Sequence, residues 1–148
     1  LFNFFNKLYL GDSGSYLIGL SVGILLIITY KVVNNISPFF IVLLLWYPCF
    51  ENLFSIIRKY KFNLSPLKAD NKHYHQLLFN FIKKKMKVSN LFANNLSSII
   101  INSFNASILF IGSLNIFDSK LQITLIFFCI FVYGYSYFKL FNFRFLQK

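Results

Sequence analysis

Carboxylates are scarce in this chain: its 148 residues hold four acidic side chains, Asp12, Glu51, Asp70 and Asp118, against fifteen lysines and arginines. Charged residues of both signs make up only 13%, roughly half of what a soluble globular domain carries. Cysteine is almost missing too, and Cys49 and Cys129 both lie inside apolar runs, where small packing residues are expected rather than a disulfide or a metal site. The one methionine is Met86 and position 1 is leucine, so the sequence shows neither an initiator nor a cleavable secretory signal and reads as a fragment. What is abundant is apolar: 57% of residues are hydrophobic and 21% aromatic, with a mean hydropathy of +0.60. Such a chain belongs in a bilayer, where each acid is costly and invites a reason.

Four stretches are long and apolar enough to cross a hydrocarbon core, which takes about 20 residues. They cover 16–33, 37–57, 91–117 and 121–140, predicting an all-α polytopic membrane protein with a basic loop over 58–90. Gly19 and Gly23 give the first span a small-residue face on which a neighbour can pack closely. Pro38 stands at a favourable early position of the second span, and Pro48 removes a backbone hydrogen bond, so a kink is expected near Trp46 and Tyr47. Asn94, Asn95, Asn102 and Asn105 make the third span polar enough to prefer protein neighbours to lipid.

A net charge of +11 would suit a nucleic-acid binder only if it sat on a soluble scaffold with groove-reading or stacking elements, so no nucleic-acid partner is expected. The basic residues are instead sorted by loop. Lys7, the nine from Arg58 to Lys87, and Lys139, Arg144 and Lys148 fall on one side; Lys31 and Lys120 fall on the other. The positive-inside rule makes the first side cytoplasmic. It also gathers Asp12, Asp70, His73 and His75 there and leaves Asp118 facing away.

Two constellations could carry chemistry. Lys7 to Ser15 runs directly into the first span. Gly11 and Gly14 permit tight turns, Ser13 or Ser15 can cap a helix whose amides face an anionic phosphate, and Asp12 is a hard oxygen ligand suited to Mg²⁺. A solvated turn with a capping residue accounts for the same residues. In the basic loop, His73 and His75 stand two residues apart with Asp70 and Lys72 nearby; such a group could orient a diphosphate, stabilise developing charge or move a proton. Solvated loop histidines are the plainer alternative, and for zinc the ligand count is short. Among the loop cations, most serve as topology determinants and attract anionic lipid, while Arg58 is singled out because a guanidinium can grip phosphate oxygens in bidentate fashion.

The runs LYLGDSGSYLIG, YPCFENLFSIIRK and ADNKHYHQLL, in that order and spacing from Asn3 to Leu78, resemble the polyprenyl-phosphate N-acetylhexosamine-1-phosphate transferases of glycosyl transferase family 4. The resemblance implies a bacterial inner-membrane enzyme with a cytoplasmic active face. A UDP-sugar and polyprenyl phosphate would meet there at a Mg²⁺ site, with Mn²⁺ as a substitute, to give polyprenyl diphosphate sugar and UMP for O-antigen, capsule or related surface polysaccharide. It implies that Asp12 binds the metal and is catalytic, that His73 and His75 act with it, and that Asp70, Arg58, Gly11, Gly14, Ser15 and the upstream Asn3 bind substrate. The sequence departs from the family pattern in carrying Gln76 rather than a further histidine and Glu51 where many members have aspartate. A paired-aspartate motif and an asparagine-aspartate motif upstream are also missing, so these residues alone are expected to have no turnover and to need the N-terminal half as partner, besides lipid; a homodimer stays open. A single HxH disfavours a role in peptidoglycan precursor synthesis. Two other readings are a non-catalytic remnant or packing partner, against which the retained polar residues argue, and a transporter, for which no paired inverted segments are found.

Overall fold

The computed structural model describes residues 11–61, 63, 65 and 72–145, without the side chain of Asp12. Among them are six helices and no strand: α1 (Gly11–Val32), α2 (Pro38–Leu44), α3 (Trp46–Lys61), α4 (Tyr74–Met86), α5 (Asn90–Ser113) and α6 (Ser119–Phe145). Three of them are long and apolar enough to cross a membrane, or four spans if α2 and α3 count as one bent crossing. The fold is that of an all-helical polytopic membrane protein.

The interior of such helices cannot borrow water to satisfy hydroxyls, and this chain answers with its own backbone. Ser21 and Thr29 of α1 donate to the carbonyls of Leu17 and Leu25, and Ser97, Ser107 and Ser136 do the same one turn back on α5 and α6. No described residue of α1 is buried, and its apolar side chains point outward all round, from Tyr16 to Val32. A helix of that kind is solvated by hydrocarbon or by further protein, not by water.

The helix break in the second predicted span follows from one residue. Pro48 has no N–H to offer the carbonyl of Leu44, and its ring crowds that carbonyl. The chain tightens instead, with Leu45 N–H donating to Val42 at 3.2 Å before Cys49 N–H resumes the ladder to Leu45. The two halves meet at 72°, so the kink is expected from sequence but a complete break is found. α2 itself begins on Ser37, whose hydroxyl accepts from Phe39 N–H, with Pro38 in the first turn.

Both short turns lie at one end of the bundle. Ser37 N–H donates to Ile116 O at 3.0 Å, and the Ser37 and Ser119 hydroxyls are 2.9 Å apart. Asp118 caps α6 by accepting from Lys120 and Leu121 N–H. Gln122, fully buried, donates to the carbonyls of Gly112 and Asn115, which joins the last turn of α5 to the first of α6.

The segment 58–90 is not simply a loop. Tyr74, Leu77, Leu78, Phe81 and Ile82 recur at helical spacing, and they form one face of α4 packed against α5 and α6. The other spans shift at their ends. α1 starts at Gly11, so Gly14 and Ser15 lie within the helix rather than in a turn or cap, and the positive φ of the signature falls on Gly11 at 67°. α5 stops at Ser113 and α6 runs on to Phe145.

Candidate functional site

Helix α3 is inverted relative to a helix in water. Most of its outward residues are apolar (Leu53, Ile56, Ile57 and Tyr60 are exposed, with Asn52 and Lys61), while Glu51, Ser55 and Arg58, at spacings of four and three, are buried on one stripe. That stripe faces α6, where Tyr133, Tyr137 and Phe141 repeat every four residues and stack ring on ring. Phe50 and Phe54 meet Tyr133 edge-on. Between the two helices lies the segment that leads into α4.

Two hydrogen-bonded knots hold that segment. In the first, Glu51 Oε1 lies 3.0 Å from His73 Nδ1 and accepts from Tyr74 N–H at 3.0 Å, while Glu51 Oε2 accepts from the Tyr133 hydroxyl at 2.5 Å. In the second, one turn of α6 further on, Arg58 donates to Lys72 O at 2.9 Å and to Tyr137 Oη at 2.7 Å, and its other terminal nitrogen reaches Ser55 Oγ. The Tyr137 hydroxyl in turn donates to Lys72 O at 3.1 Å. A buried carboxylate and a buried guanidinium are both satisfied, and residues 72–74 are clamped at consecutive positions. Gln76 completes the arrangement by accepting from His73 N–H at 3.3 Å, which ties the entry of α4 to its own first turn.

His75 lies on the exposed side of His73, the two rings nearly parallel with centroids 5.9 Å apart. Its surface is open, yet the protein packed around it removes enough water to lower its pKa from 6.5. The neighbouring Glu51 opposes that shift and His73 adds to it. The free form of His75 at neutral pH is therefore the uncharged one. A cleft of about 200 Å³, lined mainly by apolar groups, adjoins the first knot through Tyr74 and Tyr133 and is closed on its other sides by Trp46, Tyr47 and Phe104.

The structure brings His73, His75 and Arg58 to one end of α3. Arg58, selected as a phosphate grip, donates to Lys72 O, Tyr137 Oη and Ser55 Oγ within the protein. Gly11, Gly14 and Ser15 lie in the first turns of α1, while Asn3, Asp70 and the side chain of Asp12 lie outside the described residues. Among the described residues no group of three His, Cys, Asp or Glu could hold a metal ion. The nearest donors are imidazoles and a carboxylate already engaged, which do not suit Mg²⁺, an ion that prefers oxygen. Four members of the cluster are not singled out from sequence as site residues. Glu51 carries a signal, an acid within an apolar span, and Tyr133 and Tyr137 carry a weaker one in their four-residue spacing; Tyr74 contributes through its backbone and carries none.

The class defined by fold and site is a helical membrane protein with a buried acid-histidine-tyrosine cluster at one end of a broken helix. No protein-family model matches the chain, and no solved structure matches it. Over 77 residues it is 36% identical to a probable undecaprenyl-phosphate N-acetylglucosaminyl 1-phosphate transferase of Bacillus subtilis (strain 168), a stretch covering 51% of this chain. The matched stretch is 21% of that protein, so the chain spans about a fifth of the length of the curated relative.

Proposed function

We propose that the chain is part of a membrane enzyme that transfers a sugar-1-phosphate, an N-acetylhexosamine one, from a UDP-sugar to polyprenyl phosphate, releasing UMP, in the synthesis of a cell-surface polysaccharide. The observation that carries the reading is the double clamp on residues 72–74. It presents His73 and His75 as an ordered pair at the end of two apolar helices, where a lipid-borne phosphate and a soluble nucleotide can meet. The name of the Bacillus relative and the order of the three motifs support the same reaction.

In this proposal the apolar cleft beside Tyr74 and Tyr133 offers space for the first part of the carrier's chain. His73 and His75 face the phosphates, and Arg58 acts by holding Lys72 and the loop in place. Asp12 is the proposed ligand for Mg²⁺ or Mn²⁺, with Asp70, Gly11, Gly14, Ser15 and Asn3 contributing to substrate binding. The active face is cytoplasmic, on the side of the basic segment, in a bacterial inner membrane.

The test is transfer of radiolabel from UDP-N-acetylglucosamine to undecaprenyl phosphate in membranes that express the complete reading frame. H73A is expected to lower the rate by about 100-fold or more and D12N to abolish it. Full activity in either variant would remove the corresponding residue from the site, and absence of transfer by the unaltered protein, with GlcNAc and its epimers as donors, would favour a non-catalytic remnant.

A further inference from the structure

The transfer reaction as proposed gives Glu51 no part beyond its hold on residues 73 and 74, although it is the most heavily bonded acid among the described residues. We propose that Glu51 is a positioning residue that fixes His73 in its Nδ1–H tautomer and so leaves Nε2 as the imidazole's free, proton-accepting edge. This rests on the function proposed above only for its consequence in transfer, not for the tautomer itself.

The assignment follows from which partners can only donate. Tyr74 N–H is an obligatory donor and lies 3.0 Å from Glu51 Oε1, so Oε1 is an acceptor. His73 Nδ1 approaches the same oxygen at 3.0 Å, and two acceptors cannot share that distance without a proton. Between a carboxylate oxygen, which can only accept, and an imidazole nitrogen, that proton is on Nδ1.

The rest of the cluster prevents the carboxylate from turning away. Glu51 is 8% exposed and Tyr133 3%; the tyrosine hydroxyl holds Oε2, and Phe50, Phe54 and Tyr74 pack around the Tyr133 ring. His73 is itself anchored at its N–H by Gln76. A carboxylate on one imidazole nitrogen orients the ring and fixes its tautomer. With Nδ1–H committed, Nε2 can take the proton carried by a phosphate monoester monoanion. The imidazolium then has one N–H toward Glu51 and one toward the phosphate, which has become a dianion and a better nucleophile. The same proton returns to a phosphate oxygen of the departing nucleotide, so the histidine ends as it began.

Solid-state ¹⁵N spectra of the complete protein, labelled with [¹⁵N]histidine in lipid at pH 8, test this directly. The chain has two histidines, and H73N and H75N each remove one set of signals, which assigns them. The expected result is a protonated Nδ1 and a bare Nε2 for His73 in the unaltered protein and in E51Q, whose amide oxygen still accepts. In E51L a shift toward the Nε2–H form is expected. In the radiolabel assay E51L should lose about 100-fold in kcat with the UDP-sugar KM within about twofold, and E51Q should recover most of that loss. An Nε2–H tautomer in the unaltered protein overturns the proposal, and so does an E51L spectrum that matches it. If E51L does not fold, the unaltered spectrum decides alone. The expected tautomer in a protein with no transfer activity would count against the functional reading and leave this one standing; robust transfer with the opposite tautomer would do the reverse.

Discussion

At the scale of single residues, the site contains one group whose proton affinity is shifted by its surroundings outside the membrane-spanning segments. His75 has its pKa lowered from 6.5, mainly by the crowding of protein around it. Below pH 6.5 an unfolded chain takes up a proton that folded His75 resists. Its contribution to stability is therefore complete above that pH and is lost as the pH falls through the lowered value. H75Q should flatten the acid limb of a thermal-midpoint profile below pH 6.5 while leaving the midpoint at pH 8 unchanged; the effect is small because the ring is exposed. An unaltered acid limb would show that the destabilisation at low pH comes from other groups. The histidines are legible in the sequence because two of them sit close together in a chain with no others. Their supports are not, because Tyr133 and Tyr137 are about sixty positions away and look like ordinary aromatic residues of an apolar span. Arg58 shows the opposite limit. Its chemistry suits a phosphate, and only the fold reveals that a backbone carbonyl and two hydroxyls already engage it.

At the scale of elements, Gly112 is the glycine with the closest neighbours. A methyl group added there would sit 2.6 Å from Leu43 Cδ2 and 3.0 Å from Gln122 Oε1, whereas one added at Gly134 would meet nothing within 4 Å. Leu43 is fully buried and cannot swing into open space, so α2 and the α5–α6 junction must separate. G112A is expected to cost about 1–3 kcal/mol, and G134A, in the middle of α6, to be neutral or stabilising by about 0.5–1 kcal/mol. Thermal unfolding in detergent measures both, and equal behaviour of the two variants would mean that the junction is looser than described. The long helices are legible because uninterrupted apolar runs have few alternatives in a bilayer. α4 is harder to see, since Lys83, Lys84, Lys85 and Lys87 dominate its composition and hide the regular apolar spacing beneath them. The break at Leu45 is legible in position, from Pro48, but not in size. How far two halves bend depends on what receives them, and Trp46 packed edge-on to Phe104 of α5 can be known only once α5 is in place.

At the scale of the molecule, the two ends of the bundle differ in both charge and chemistry, and their separation is fixed by helix length. α5 has 24 residues, about 36 Å along its axis, which exceeds the roughly 30 Å of hydrocarbon. Its first turn follows the basic end of α4, while its last turn joins the junction where Ser37, Ile116 and Ser119 tie both short turns together. The turn at Asn34 and the turn at Asn115 must then share one face, with Lys84 on the other. Cysteine labelling makes this measurable in a background where Cys49 and Cys129 are serine. N34C and N115C, at exposed positions, are expected to react with a membrane-impermeant maleimide in intact cells. K84C, also exposed, should react only after the membrane is permeabilised. If K84C is labelled from outside, the histidine pair faces away from the soluble nucleotide and no rearrangement of the site could rescue the proposed transfer. If N34C and N115C fall on different sides, the hydrogen bonds from Ser37 cannot exist in the membrane, and the placement of α2 beside α6 fails with them.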